Sequence, residues 1–292
     1  MKYRITHLTQ YGYSTATPVC HNLVHLTPRQ TARQRCRDFV LEISPDPAHV
    51  TSRQDYFGNQ SSYFSIHQSH AGLCVTARSF VTLLPVDLPD ADKSPAWESI
   101  RDGLSSVRAP EWLDAYQFAF DSPCVKSSAE LAEYASESFL PQRPILRAVA
   151  DLNRRIHQDF RYDPQATSVT TPVQEVFQHR HGVCQDFAHV AIGCLRSLGL
   201  AARYVSGYLR TLPPPGQARM VRADASHAWF AVYAGSSGWV DLDPTNQLLV
   251  DTDHITLAWG RDYSDVAPVR GVFVGAGSHS VTVSVDVLPE DE

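Results

Sequence analysis

Long apolar runs are missing from this 292-residue sequence. No stretch approaches the roughly 18 apolar residues that a membrane-spanning helix needs. The first twenty residues, MKYRITHLTQYGYSTATPVC, also lack the apolar segment of about 7–15 residues that marks a secretory signal peptide. We therefore expect a protein that does not enter a membrane and that stays in the cytoplasm.

Clusters of positive charge are missing as well. The formal net charge is −6, and Lys and Arg do not gather into a block. Because proteins that bind nucleic acids have clustered Lys and Arg residues, we exclude a nucleic-acid partner. The 43% hydrophobic and 19% charged content is that of an ordinary globular protein, and the length suits one large domain or two medium ones.

The cysteines show neither a metal-binding nor a disulfide pattern. The six cysteines are Cys20, Cys36, Cys74, Cys124, Cys184 and Cys194. They form no CxxC pair and no Cys/His zinc pattern, so we expect no metal. In a chain of this length without an export signal, free thiols are favoured over disulfides.

The N-terminal part of the chain has the pattern of short strands. The alternating or apolar runs are residues 3–8, 39–43, 62–66, 73–77 and 80–84. Turn residues separate them, and residues 85–96, rich in Pro and Asp, resemble a linker. We predict an antiparallel, sandwich-like β domain over residues 1–90.

Helical patterns follow, so the fold class is α+β. Residues 97–138 predict a helical connector spanning 91–140, and an apolar stripe predicts a helix at 145–160. We place a second domain at 141–292. Within it, the alternation at 280–287 predicts a strand, which belongs either to this core or to the N-terminal sheet.

Cys184 lies at the predicted N-terminus of a helix. Apolar residues recur with a period of 3.6 over residues 187–198. The free N–H groups and the dipole at this end of a helix stabilise a thiolate, as a nucleophile requires. A cysteine in an apolar helix is otherwise most simply a core residue, which is our prediction for Cys194. Asp186 and His189, on the same helix, are predicted to be structural.

A cysteine nucleophile needs a histidine base and a group that orients it. Residues 226–233 and 239–243 predict two antiparallel strands joined by a short turn, with His227 on the first strand. Asp241 and Asp243 share one face of the second strand. Because neighbouring strands lie about 5 Å apart, the hairpin places His227 near Asp243, with Asp241 as the alternative.

Four stretches follow one another in a characteristic order. They are RHGVCQDFAH (180–189), LGLAARYVSGYL (198–209), SHAW (226–229) and GWVDLDPTN (238–246). Together they resemble the bacterial transglutaminase-like cysteine peptidase family, within the transglutaminase/papain-like superfamily. The segments DYFGN and GRDYSDVAPVRG are similar to the bacterial branch of that superfamily, so the resemblance covers most of the chain.

The resemblance implies a papain-like/transglutaminase-like core behind the N-terminal antiparallel β domain. By motif, Cys184 would be the nucleophile and His227 the general base and acid. Asp243 would hold the imidazole in the right tautomer, and the DPT motif favours it over Asp241. The family's chemistry requires no metal and no organic cofactor.

Two further residues are candidates for an oxyanion or cleft role. Gln178 lies six residues before Cys184, the spacing of a papain-like oxyanion-hole glutamine. Transglutaminase-like members do not generally use one, and an ordinary polar loop residue is the alternative. Tyr162 matches an aromatic that the family places before the catalytic loop, as a hydroxyl donor or as a wall. Residues 213–216 (PPPG) are predicted as a connecting loop near the cleft mouth.

The activity that these assignments predict is thiol-dependent hydrolysis of peptide or isopeptide amide bonds through an acyl-enzyme. The same triad also supports transglutaminase-type acyl transfer to an amine. The alternative from another functional class is a non-catalytic interaction module with the same transglutaminase-like fold. The sequence leaves the identity of the peptide or amide substrate and the oligomeric state open.

Overall fold

A computed structural model describes residues 1–85, 87–211, 225–275 and 277–290. This part of the chain contains fifteen β-strands and seven α-helices. The strands are β1 (Lys2–Thr17), β2 (Val19–Val24), β3 (Gln34–Ser44), β4 (His49–Gln54), β5 (Gln60–Ile66), β6 (His70–Leu83), β7 (Arg161–Tyr162), β8 (His181–Gly182), β9 (Ala202–Leu209), β10 (Ala225–Tyr233), β11 (Trp239–Asp243), β12 (Leu248–Leu249), β13 (His254–Gly260), β14 (Val269–Val274) and β15 (His279–Pro289). The helices are α1 (Trp97–Ser106), α2 (Pro110–Tyr116), α3 (Ala129–Ser136), α4 (Ile145–Asp159), α5 (Val173–His179), α6 (Cys184–Ser197) and α7 (Tyr263–Val266). The loop predicted at residues 213–216 lies outside the described residues.

Two four-stranded antiparallel sheets form a sandwich at the N-terminus. Their strand orders are β15-β1-β6-β3 and β14-β2-β5-β4. Buried side chains alternate along β1 and β6, as the period of a strand requires. One core cluster joins Ile5 and Val75 of the first sheet to Phe64 of the second, so the sheets pack face to face. The predicted N-terminal antiparallel β architecture is confirmed.

The individual strand predictions differ from the structure in two respects. The runs at 73–77 and 80–84 belong to one strand, β6, because the alternation of buried residues continues through Ser79. Strands β2 and β4 are absent from the sequence prediction. All six residues of β4 (HVTSRQ) are exposed, so this strand carries no apolar alternation that the sequence could reveal.

The last two described strands belong to the N-terminal sandwich. β14 pairs with β2, and β15 pairs with β1, with Tyr3 opposite Pro289. Val285 and Val287 of β15 are buried in the sandwich core. Residues 280–287 therefore form the predicted strand. Of the two placements that the sequence left open, the strand lies in the N-terminal sheet. The division into three domains remains a prediction.

Helix α6 is the centre of the core. It packs against β9 and β10 of the five-stranded sheet β12-β11-β10-β9-β13 and against helices α3 and α5. All residues from Gln185 to Arg196 are buried, beyond the predicted apolar stripe, because the polar ones have partners. The Arg196 guanidinium, for example, donates to the carbonyl oxygens of Phe118 and Ala202 at 2.9 Å. The chain turns away at Gly199, where φ is +77, a conformation that glycine adopts readily.

The remaining helices pack around α6 and the sheet. Helices α1, α2 and α3 fall within the segment predicted to be a helical connector, and α4 confirms the helix predicted at 145–160. Across the described ranges, no helix combines the length and the apolar character needed to cross a bilayer.

Candidate active site

Cys184 is the first residue of α6 and is half-buried. The loop before it is fixed by Asp186, whose Oδ2 accepts hydrogen bonds from the Val183 N–H at 2.8 Å and from Thr167 Oγ1 at 2.6 Å. Burial raises the pKa of Asp186, and these two hydrogen bonds partly offset the rise. Asp186 therefore has a structural role, as predicted. The first N–H groups of α6 have no acceptor within the helix.

Strands β10 and β11 form the predicted hairpin. Ala231 lies opposite Asp241, and this register brings His227 diagonally across from Asp243. His227 Nε2 lies 2.7 Å from Oδ2 of the fully buried Asp243. Asp241 is engaged elsewhere, since its Oδ1 accepts a hydrogen bond from Trp229 Nε1 at 3.0 Å. The structure therefore brings Asp243, and not Asp241, to His227.

The Cys184 side chain is also among the groups that act on the His227 ring and raise its pKa. Because Nε2 faces Asp243, Nδ1 is the ring nitrogen left for Cys184. Burial lowers the pKa of His227, but the hydrogen bond to Asp243, the interaction with Cys184 and the negative charges of both outweigh it and raise the pKa to about 10. Burial raises the pKa of Asp243, yet the hydrogen bonds from His227, His254 and Asn246 leave it well below its usual range. These couplings favour a charged imidazolium–carboxylate pair of His227 and Asp243.

Two side chains that the sequence analysis missed also bind Asp243. Asn246 Nδ2 donates to Oδ2 at 2.7 Å, and His254 Nε2 lies 3.2 Å from the same oxygen. The other oxygen, Oδ1, accepts the backbone N–H groups of Thr245 and Asn246 at 2.9 and 3.2 Å. Asn246 lies in the DPTN stretch, three residues after Asp243, where a side chain that hydrogen-bonds the aspartate could have been sought. No local pattern marks His254, because a different strand, β13, brings it to the site.

The donor atoms of His227, Asp243 and His254 lie within 4.8 Å of one another, close enough to be considered as metal ligands. The two nitrogen–oxygen separations of 2.7 and 3.2 Å are those of hydrogen bonds. A zinc ion would instead stand about 2.0–2.2 Å from each ligand and would take up the lone pairs that now accept these bonds. Hydrogen bonding therefore accounts for the spacing of this cluster.

Tyr162 lies near the Cys184 thiol. Its side chain is 53% exposed, and its ring stands edge-on to Phe187 at 6.4 Å. Burial raises the pKa of Tyr162, and the charge of Cys184 adds to the rise. Gln178 is exposed on α5, so it lies in a helix and not in the loop of the alternative prediction. The structure brings Tyr162 to the site, while the oxyanion roles of both residues remain predictions.

Two other residues of α6 have the structural environments predicted for them. His189 Nε2 accepts a hydrogen bond from the Tyr263 N–H at 3.2 Å, and burial lowers the pKa of His189 to about 4. Cys194 is fully buried in the core, and burial raises the pKa of its thiol to about 12. Of the thiols on this helix, only that of Cys184 is therefore accessible.

Two protein families match the chain. Residues 3–82 match the bacterial transglutaminase-like N-terminal region, and residues 132–244 match the transglutaminase-like superfamily. The second match spans Cys184, His227 and Asp243.

Known proteins resemble the chain over its whole length or over a part of it. The uncharacterized protein Rv2569c of Mycobacterium tuberculosis is 44% identical over 99% of this chain and 93% of its own length. A Protein-glutamine gamma-glutamyltransferase of Pseudomonas aeruginosa is 33% identical over 36% of this chain and 16% of that protein. The crystal structure of "a Putative Cysteine Protease from Cytophaga hutchinsonii" has the same fold, with a TM-score of 0.76 at 21% identity over 100% of this chain and 92% of that one.

Proposed function

The chain belongs to the transglutaminase-like superfamily and carries the bacterial transglutaminase-like N-terminal region, and on that premise we propose that it hydrolyses peptide or isopeptide amide bonds through a Cys–His–Asp triad. One observation carries the proposal. His227 meets the buried carboxylate of Asp243 at 2.7 Å, and the accessible side chain of Cys184 is among the groups that raise the pKa of the same imidazole. A nucleophile, a base and an orienting group in that order form the minimal set for acyl transfer by a thiol.

The proposed reaction proceeds in two stages. The Cys184 thiolate attacks the amide carbonyl carbon, and the C–N bond breaks as the His227 imidazolium gives its proton to the leaving nitrogen. This leaves a thioester acyl-enzyme and a neutral imidazole. His227 then takes a proton from water, the hydroxide attacks the thioester, and the C–S bond breaks to release the acid and restore the thiolate–imidazolium pair. Asp243 holds the ring in the tautomer that both stages use.

Negative charge develops on the carbonyl oxygen in each stage. The N–H groups of Cys184 and Gln185 are suited to stabilise it, because they stand at the positive end of α6, whereas the next two N–H groups donate to the Val183 carbonyl oxygen. Tyr162, which is exposed and lies near Cys184, is positioned to add its hydroxyl as a donor or its ring as a wall. These assignments complete the proposed catalytic machinery without a cofactor.

Peptide profiling tests the hydrolase proposal. Purified wild type and Cys184→Ala are incubated with one complex peptide mixture, and products are followed by mass spectrometry. New peptide termini that arise with the wild type and not with Cys184→Ala are expected. Equal product sets from both proteins would remove Cys184 from the reaction.

Acyl transfer to an amine is the second candidate, and the relationship to a Protein-glutamine gamma-glutamyltransferase favours it. Both reactions share the acyl-enzyme and differ in the acceptor, whose positioning decides the outcome. With p-nitrophenyl acetate as the acyl donor and millimolar primary amines as acceptors, we expect acetate to predominate over acetylamide. Saturable amine incorporation that outruns hydrolysis would make the protein a transferase.

We also propose a cytoplasmic location. All six cysteines are free thiols in the structure, as expected for a protein kept in a reducing compartment. Cell fractionation with a blocking thiol reagent in the medium tests the location. Rapid blocking of Cys184 in intact cells by a membrane-impermeant reagent would place the protein outside the cytoplasm.

A further inference from the structure

A cavity of about 450 Å³ lies where the core meets the N-terminal sandwich. Aromatic rings form much of its wall, namely those of Tyr11, Tyr13, Tyr263, Phe273 and His279. Several of these rings already contact one another. The centroids of Tyr13 and Phe273 are 5.2 Å apart, and those of Phe273 and His279 are 5.5 Å apart, so the wall is continuous and preformed. We refer to this cavity as the aromatic pocket.

Among the described residues that line the aromatic pocket, the only permanently charged side chain is positive. No Asp or Glu is among the described residues that line it, and Arg270 stands at its rim. Arg270 is exposed, and its Nη1 lies 3.4 Å from the carbonyl oxygen of Ser264. Within the described ranges, no carboxylate forms an ion pair with its guanidinium. An unpaired guanidinium beside an aromatic wall is suited to a ligand that is both aromatic and anionic.

Two residues that line the aromatic pocket hydrogen-bond helix α6, whose first residue is the proposed nucleophile. Val169 and Thr170 line the pocket, and the Val169 carbonyl oxygen accepts a hydrogen bond at 3.3 Å from the side chain of Gln185, the residue after Cys184. On the other side, Tyr263 is held by His189 of α6. At about 1.5 Å of rise per residue, His189 is only about 7.5 Å along the helix from Cys184. Two or three residues of extended peptide, at about 3.4 Å each, span such a distance.

We propose that the aromatic pocket is a substrate subsite that receives an aromatic side chain carrying a free carboxylate, the C-terminal residue of a peptide whose reacting carbonyl lies at Cys184. The inference rests on the proposed function. The ring packs against the aromatic wall, and the carboxylate pairs with Arg270. The volume suits one large side chain and its terminal group.

Binding to Cys184→Ala tests the pocket without any chemistry. The probes are acetyl-Gly-Gly-Phe, its C-terminal amide and acetyl-Gly-Gly-Ala, titrated by calorimetry. We expect the first peptide to bind about ten- to hundredfold more tightly than the other two, because the amide loses the charge-assisted bond and alanine loses the ring contact. Arg270→Gln should remove the preference for the carboxylate and keep that for the ring. Arg108→Gln, which also removes an exposed arginine bonded to a carbonyl oxygen, is the matched control. Equal affinities for the three peptides would overturn the proposal.

The rate of alkylation tests whether a peptide held in the aromatic pocket reaches the Cys184 thiol. In the wild type, chloroacetyl-(Gly)n-Phe with n from 0 to 4 transfers its CH2 carbon to the thiolate and releases chloride. We expect the second-order rate of Cys184 labelling, followed by mass spectrometry, to peak at one spacer near n = 2 and to exceed that of the matched alanine series about tenfold. A rate independent of spacer and side chain, with iodoacetamide still labelling Cys184, would reject the subsite and leave the nucleophile intact. Failure of iodoacetamide to label Cys184 would reject both.

Discussion

His254 and Asp243 meet in the protein interior, with Nε2 of the histidine 3.2 Å from Oδ2 of the carboxylate. Strand β13 brings His254 to this point through its pairing with β9. The same oxygen is 2.7 Å from His227 Nε2, so a side chain from outside the hairpin helps to fix the carboxylate that orients the proposed base.

Replacing His254 should therefore impair turnover through Asp243. For His254→Phe we expect kcat to fall roughly tenfold, the value of one buried hydrogen bond, with KM unchanged. His254→Asn, which keeps a donor, should recover part of the loss. Steady-state kinetics with p-nitrophenyl acetate supply the measurement. A loss of activity that tracks a loss of thermal stability in both variants would assign His254 to packing alone.

The two aspartates of β11 should differ sharply. Asp243→Asn keeps the shape of the side chain and leaves His227 in the wrong tautomer, so we expect kcat to fall by a large factor, about 10⁴ in the comparable serine-protease change. Asp241→Asn should cost less than about tenfold, because the amide oxygen can still accept from Trp229. Circular dichroism would confirm that both variants are folded. The opposite ranking would transfer the orienting role to Asp241.

The pH dependence follows from His227, whose pKa is raised to about 10 from the ordinary value near 6.5. A raised pKa means that the folded state holds the proton more tightly than the unfolded one. The stability gained is therefore complete below about pH 6.5 and is lost as the pH rises through about 10. We expect kcat/KM to fall on the basic side near pH 10, where the imidazolium is lost.

Asp243→Asn sharpens this test. It removes a hydrogen bond and a negative charge that raise the pKa of His227, so the basic limb of the residual activity should move to lower pH. A basic limb that stays in place in Asp243→Asn would mean that another group controls it.

Arg196 should be important for stability. Its buried guanidinium donates to Phe118 O, Ser122 Oγ, Ala202 O and Arg261 O, and it lies close to the charge of Asp262. Arg196→Met removes four buried hydrogen bonds and the positive charge near Asp262, and we expect a loss of about 3–5 kcal/mol in the free energy of unfolding. Urea denaturation provides the measurement, with the exposed Arg108→Met as control. A similar, small effect in both variants would contradict this assignment.

Local patterns in the sequence were sufficient to place the hairpin and the catalytic helix. The 3.6-residue period located α6, and strand alternation together with strand spacing predicted the approach of His227 to Asp243. The choice between Asp243 and Asp241 followed from the family motif, because alternation places both carboxylates on one face. The structure separates them by the register of Ala231 opposite Asp241 and by the hydrogen bond from Trp229.

Contacts between distant strands could not be predicted in this way. His254 reaches Asp243 only through the pairing of β13 with β9, and a strand carries no local signal of its neighbour. The same holds for β15, whose alternation fits either sheet until its pairing with β1 is known. Strand β4 has no buried side chains, so its pairing with β5 is set by backbone hydrogen bonds that leave no pattern in the residues.

The pairing of β1 with β15 also constrains how the chain is made. Strand β1 is translated before the core, and its partner β15 follows only after the core residues have been made. A long-range contact of this kind closes late, since its chain entropy must be overcome last. Until then one edge of β1 stays open to neighbouring nascent chains. The N-terminal sandwich is therefore completed only after the core residues that lie between its strands in the sequence.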